Sequence, residues 1–187
     1  EGEEPDYSVC PEAEYYNFKK EGGSGYTKIP GDGGWYYESQ FQSGMPDLNL
    51  DCTALRTEIE KIAKFWYDKG IRGYRLDAAL HYYEGNNKKS TEALKWFYDY
   101  VESLDSSNYV VAEVWSDASA LDKFYESGVD SLFNFPYGTS EGYIVLTCNR
   151  AGNGSGGGKF ANFVVNRYVE VLQKKAIILM RRHLMRK

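Results

Sequence analysis

Apolar positions along the chain recur with two different periods, and the periods alternate. Between residues 51 and 70, Leu55, Ile59, Ile62 and Trp66 fall at helical spacing with Ala63 beside them, which predicts an amphipathic helix. Asp51 or Thr53 can cap its start, and Gly70 follows Lys69 at its end. IRGYRL (71–76) reads as a strand. Leu94, Phe97, Val101 and Leu104 mark a second helix, opened by Ser90 or Thr91. YVVAEV (109–114) is a short strand rich in β-branched residues. ASALDKFYES (118–127) predicts a third helix, and VDSLFNF (129–135) a third strand.

Helix and strand thus alternate three times, the pattern of parallel strands joined by right-handed crossovers. It fits a (β/α) barrel or an open doubly wound sheet. A full barrel needs eight strands and roughly 250 residues, whereas three strands are visible in 187 residues, so the expectation is part of such a fold. Residues 1–46 read as irregular, with EGGSGY (21–26) and PGDGGWYY (30–37) marking turns. After Gly142 the pattern weakens, and AGNGSGGG (151–158) reads as a flexible loop or linker. The expected organisation is an irregular excursion over 1–46, a partial barrel over 47–145, and a Gly-rich segment with a basic tail over 146–187.

Aromatic content changes this picture most. Seventeen Tyr and four Trp offer flat apolar faces with polar tips, which suit a sugar-binding surface or, equally, a Tyr-rich core and rim. The net charge of −5 argues against nucleic acid as a partner. That total hides a contrast: residues 166–187 hold seven Lys/Arg and one Glu. No apolar run approaches the roughly 18 residues of a membrane span. Cys10, Cys52 and Cys148 show no metal-type spacing, and one disulfide or three free thiols both remain open. The first residue is Glu1 and no signal peptide is visible, so either a segment was removed or the chain is a piece of a longer protein.

The candidate chemistry lies at two strand ends. In GYRLDAALH (73–81), Arg75 and Asp77 are two apart and share a face of the strand. In the next strand Tyr109, Val111 and Glu113 share a face, with Trp115 just beyond. Both acids sit at C-terminal strand ends, where a parallel barrel carries its active site. Adjacent parallel strands lie about 4.8 Å apart, so Asp77 and Glu113 become neighbours if their strands are. A retaining glycosidase needs a nucleophile and an acid/base about 5–5.5 Å apart. Arg75 favours the charged form of Asp77, as a nucleophile requires. Val114 and Trp115 predict less polar surroundings for Glu113, as an acid requires. On spacing alone, an ordinary Arg–Asp pair and an unrelated Glu explain the same residues.

These motifs also resemble the α-amylase family of glycoside hydrolases. GYRLDAALH is similar to that family's nucleophile motif on the fourth barrel strand, and VAEVW (111–115) to its acid/base motif on the fifth. MPDLN (45–49) resembles the short motif near the end of the excursion domain, and VDSLFNFP (129–136) the sixth strand. The resemblance covers about residues 35–137. It implies a partial (β/α)8 TIM barrel of about strands four to six, preceded by part of a loop-rich excursion domain. It implies Asp77 as nucleophile, Glu113 as acid/base, and Arg75 as the group that holds Asp77 charged. It places His81 near the substrate, with its backbone carbonyl toward a structural Ca2+, and Asp47 as a carboxylate ligand of the same ion. Trp35, Tyr82, Tyr83 and Trp115 become candidate sugar-stacking positions. The implied partner is an α-glucan oligosaccharide or polysaccharide, and a polymeric substrate implies an extracellular, secreted enzyme.

The chain also departs from the family. Leu80 stands where many α-amylases have lysine. MPDLN is intermediate between the forms of plain α-amylases and 1,6-glucosidases. The Asn-His-Asp motif that carries the third acid, and the histidine motif of the third strand, are absent from these 187 residues. The resemblance therefore implies a starch-type retaining hydrolase, and these departures an isolated chain that is inactive. The alternatives are a 1,6-glucosidase or glucanotransferase, or a non-catalytic carbohydrate-binding protein on the same scaffold.

Overall fold

Three parallel strands carry the main sheet of the computed structural model, which describes residues 5–31 and 33–138. They are β4 (Gly73–Leu76), β5 (Tyr109–Ala112) and β6 (Ser131–Leu132), in that spatial order. Ahead of them, β1 (Phe18–Lys19), β2 (Tyr26–Lys28) and β3 (Tyr36–Glu38) form a small antiparallel sheet with β3 in the centre. The region expected to be irregular therefore holds a sheet. Its strands are two or three residues long, too short for a period to be counted. The Gly-rich segment 151–158, the basic tail and Cys148 lie outside the described residues. Cys10 is exposed and Cys52 half-buried, and both are free thiols.

The expected helices form, with corrections at their starts and faces. The first, α1 (Thr53–Asp68), is preceded by Cys52 rather than by a side-chain cap. Asp51 is engaged elsewhere, by Tyr83 Oη at 2.7 Å and Lys89 Nζ at 2.8 Å. Lys69 ends the helix, and Gly70 takes φ +97°, a left-handed conformation that glycine adopts without a steric cost. Leu55 and Ala63 are buried, whereas Ile62 and Trp66 are half exposed. The inward face is Leu55, Ile59 and Ala63.

The second helix, α2 (Asn87–Leu104), starts before Ser90 and Thr91. Asn86 caps it by accepting the Lys89 N–H at 3.1 Å. Ser90, Leu94, Phe97 and Val101 are all buried on one stripe. Next comes α3 (Ala118–Phe124), capped by Asp117, whose Oδ1 accepts the N–H groups of Ser119 and Ala120. A short α4 (Phe135–Gly138) closes the described chain.

One core joins these elements. Val110 and Ala112 of β5 and Leu94 and Val101 of α2 pack with Phe124 and Leu132. Tyr74 and Leu76 of β4 pack against the same cluster. Alternation along β4 and β5 therefore turns Arg75, Tyr109 and Val111 to the opposite face. Among the described residues no helix is long and apolar enough to cross a membrane.

Candidate active site

The register of β4 against β5 decides where the two acids stand. Leu76 pairs with Ala112, so Asp77 and Glu113 are the next residues on adjacent strands. The ladder continues one step further: Glu113 N–H donates to the Leu76 carbonyl, and Ala79 N–H to the Glu113 carbonyl, both at 2.8 Å. Between them Ala78 takes φ +44° and ψ +39°, the left-handed region that non-glycine residues rarely occupy.

One guanidinium joins the two carboxylates. Arg75 Nη1 pairs with Asp77 Oδ1, and Arg75 Nη2 lies 2.7 Å from Glu113 Oε2. The Ala78 N–H makes a long 3.4 Å contact to the same Glu113 oxygen. The Asp77 side chain is 71% exposed and that of Glu113 19%. The expected apolar setting of Glu113 is thus corrected. Val114 points into the core at 0% exposure, because alternation carries it to the other face. Trp115 is exposed and stacks on Phe135, with ring centroids 4.6 Å apart. What faces Glu113 is Arg75, whose guanidinium also lies over the Phe133 ring.

A cleft of about 340 Å³ adjoins this edge. Asp77, His81, Tyr82 and Asp47 line it, together with apolar side chains such as Phe41 and Met45. Glu113 and Arg75 stand outside it. Tyr82 is half-buried and packs against the core. Burial pushes its hydroxyl up from the ordinary tyrosine value, and the charge of Asp77 adds to the effect. Tyr83 is held differently. Its hydroxyl donates to Asp51 at 2.7 Å and Lys89 sits over its ring, so both its face and its tip are engaged within the protein. Burial, and then the Asp51 hydrogen bond, push it up to about 12. Trp35 lies beside the antiparallel sheet, where its carbonyl accepts the Ile29 N–H at 2.9 Å and Lys20 lies over its ring. It is not among the residues lining the cleft.

These residues do not by themselves fit a calcium ion. Ca2+ takes about six to eight oxygen ligands. Asp47 Oδ2 already accepts the Gln40 N–H at 2.6 Å. Among the described residues no group of three or more His, Cys, Asp or Glu could hold a metal. One carboxylate and one carbonyl leave most of the shell unfilled.

Comparison with known proteins decides the family. The model of the alpha amylase catalytic domain matches residues 7–153. The chain belongs to the alpha-amylase family. This alpha-amylase-family chain is 46% identical over 101 residues to Alpha-amylase 3 of Dictyoglomus thermophilum, covering 54% of this chain and 20% of that protein. It is 34% identical over 91 residues to an Oligo-1,6-glucosidase of Bacillus sp. (strain F5), covering 49% and 16%. The solved structure of Eubacterium rectale Amy13B matches with TM-score 0.83 at 41% identity, covering 92% of this chain and 33% of that one. The chain spans a fifth of that amylase and a third of the Amy13B chain.

Two contacts at the site of this alpha-amylase-family chain lie outside the motifs. The Ser90 hydroxyl accepts the Tyr83 N–H at 3.0 Å and lies within reach of the Leu80 carbonyl at 3.2 Å. It thereby fixes the loop that carries His81 and Tyr82. The available signal was a serine on the apolar stripe of a helix. Glu84 pairs with His81 three residues earlier, 2.6 Å from Oε2 to Nδ1, at a spacing that carries no special signal in a loop.

Proposed function

We propose that Asp77 and Glu113 are the nucleophile and the acid/base of a retaining glycosidase acting on α-glucosidic bonds of starch-like α-glucans. The observation that carries this reading is the single guanidinium that contacts both carboxylates. It keeps both carboxyl groups within reach of one cation at the same strand edge, as two acids that act on one sugar ring require. The parallel strands β4 to β6 correspond, on this reading, to barrel strands four to six.

Asp77 attacks the anomeric carbon while the glycosidic C–O bond breaks and Glu113 gives its proton to the leaving oxygen. A covalent glycosyl–Asp77 ester results. Glu113, now a carboxylate, takes a proton from water, whose oxygen attacks the same carbon and releases Asp77. Arg75 holds the two carboxylates in register. Trp115 offers an exposed face for a sugar ring. A polymeric substrate goes with secretion of the enzyme.

A second reading, cleavage of 1,6-linkages, is favoured by the intermediate form of MPDLN and by the likeness to the Oligo-1,6-glucosidase. On this reading the segment is part of a longer enzyme, and the test uses that enzyme. Starch and isomaltose are offered, and the anomeric form of the first product is read by NMR. Retention of configuration, with Asp77→Asn abolishing cleavage, is expected. An Asp77→Asn enzyme as active as its parent would refute the assignment. The 187-residue chain alone is predicted to release no reducing sugar from starch.

A further inference from the structure

The loop after β4 contains a pairing that the two acids do not use. His81 Nδ1 lies 2.6 Å from Glu84 Oε2. A carboxylate oxygen only accepts, so the shared proton belongs to Nδ1. In a neutral imidazole the other nitrogen, Nε2, is then an acceptor. The backbone of this residue is fixed too, since its N–H donates to the Ala78 carbonyl at 2.9 Å. The Phe41 ring meets the imidazole edge-on, with centroids 5.2 Å apart. The imidazole borders the cleft that Asp77 lines.

We propose that Glu84 is a positioning residue: it holds His81 in the Nδ1–H tautomer and so presents Nε2, in the cleft that Asp77 also lines, as a hydrogen-bond acceptor for a hydroxyl of the sugar. The choice of a sugar as the donor rests on the α-glucan reading, whereas the tautomer does not. The same pattern orients histidines at metal centres, where a carboxylate on one ring nitrogen sets what the other can do. Here the other nitrogen accepts from a hydroxyl. An Nε2–H ring would instead donate, and would suit a different part of the same ligand.

The chain has two histidines, His81 and His183, so long-range proton–nitrogen correlation spectra of the 187-residue chain are simple to assign with His81→Gln. For the neutral ring, the expected result is a protonated Nδ1 and a bare Nε2. Glu84→Ala is expected to lose that tautomer, and Glu84→Gln, whose carbonyl oxygen still accepts, to keep most of it. Glu84 is 46% exposed, so both variants are expected to fold. A parent ring protonated at Nε2, or a Glu84→Ala ring unchanged from its parent, overturns the proposal. In the longer enzyme, Glu84→Ala is expected to raise KM for the α-glucan roughly five- to tenfold, the loss of about one hydrogen bond, with kcat less affected and Glu84→Gln near the parent. An unchanged KM would overturn the assignment of the sugar hydroxyl. Because the spectra do not depend on turnover, a failure of the glycosidase reading would leave them unchanged and would show as lost activity instead.

Discussion

The Ala79 backbone N–H donates to the carbonyl of Glu113 at 2.8 Å. This bond lies past the end of both strands, so the two acids sit on a continued ladder rather than on free loop tips. Its geometric requirement falls on Ala78, whose left-handed backbone turns the chain between Asp77 and Ala79. Glycine adopts that conformation freely, and a β-branched residue does not. Ala78→Gly is expected to stay within about 1 kcal/mol of the parent, because relief of the strain offsets the entropy added to the unfolded chain. Ala78→Val is expected to lose roughly 1–3 kcal/mol. Urea denaturation of the 187-residue chain separates the two outcomes, and equal stabilities would show that the turn is not held.

Arg75 allows structure and chemistry to be separated. Its side chain is 46% exposed and that of Asp77 71%, so the pair contributes at most about 1 kcal/mol to folding. The second pair, with the more sheltered Glu113 carboxylate (19% exposed), is lost as well, so Arg75→Ala is expected to lower the thermal midpoint of the chain modestly. In the longer enzyme the same change leaves both carboxylates unplaced, and turnover is expected to fall about 100-fold or more. Arg75→Lys is expected to restore little of it, since a point charge cannot replace a planar fork that reaches two carboxylates. A large loss of stability with retained turnover would reverse this assignment.

How much of this was legible depends on which physical rule each residue obeys. The shared edge of Asp77 and Glu113 follows from a strand period of two and from parallel order, both visible in the sequence. The inward side of α1 does not follow, because helical period identifies a stripe without saying what covers it. Ile62 and Trp66 turned outward while Ala63 turned in. The residue type of Ser90 suits a cap, but Asn86 takes that role four residues earlier and frees Ser90 to face the core. The polar surroundings of Glu113 come from Arg75, 38 residues away in sequence, and no local pattern reports such a pairing. The strands β1 to β3 are shorter than any window in which alternation can be counted.

The contacts of Ser90 make it a buried polar group whose removal is predicted to cost stability. It is fully buried, and its hydroxyl accepts the Tyr83 N–H. Ser90→Ala leaves that N–H without its partner, at a cost of about 1–3 kcal/mol. The expected readout is a lower urea midpoint with an unchanged slope. In the longer enzyme the loop bearing His81 loses its tie to α2, so KM is expected to rise as well. A Ser90→Ala chain as stable as its parent would mean that the loop is held by other bonds.

Asp51 predicts an acid-side dependence whose sign can be worked out. Hydrogen bonds from Lys89 and then Tyr83 hold its carboxyl below the ordinary aspartate value. A group whose value is lowered on folding contributes stability above its unfolded value, about 4, and loses that contribution as pH falls through the folded one. The stability difference between the parent and Asp51→Asn is therefore expected to be largest above about pH 5 and to shrink toward about pH 2. The carboxylate is 59% exposed, so solvent screening keeps the plateau below about 1 kcal/mol. Urea titrations of both chains at a series of pH values measure it. The other lowered carboxyls among the described residues, at Asp6, Asp105 and Asp117, occur in both proteins and cancel in the difference. A difference that grows on acidification would mean that the Asp51 carboxylate is less favoured in the folded chain than in the unfolded one, and that Lys89 and Tyr83 do not hold it.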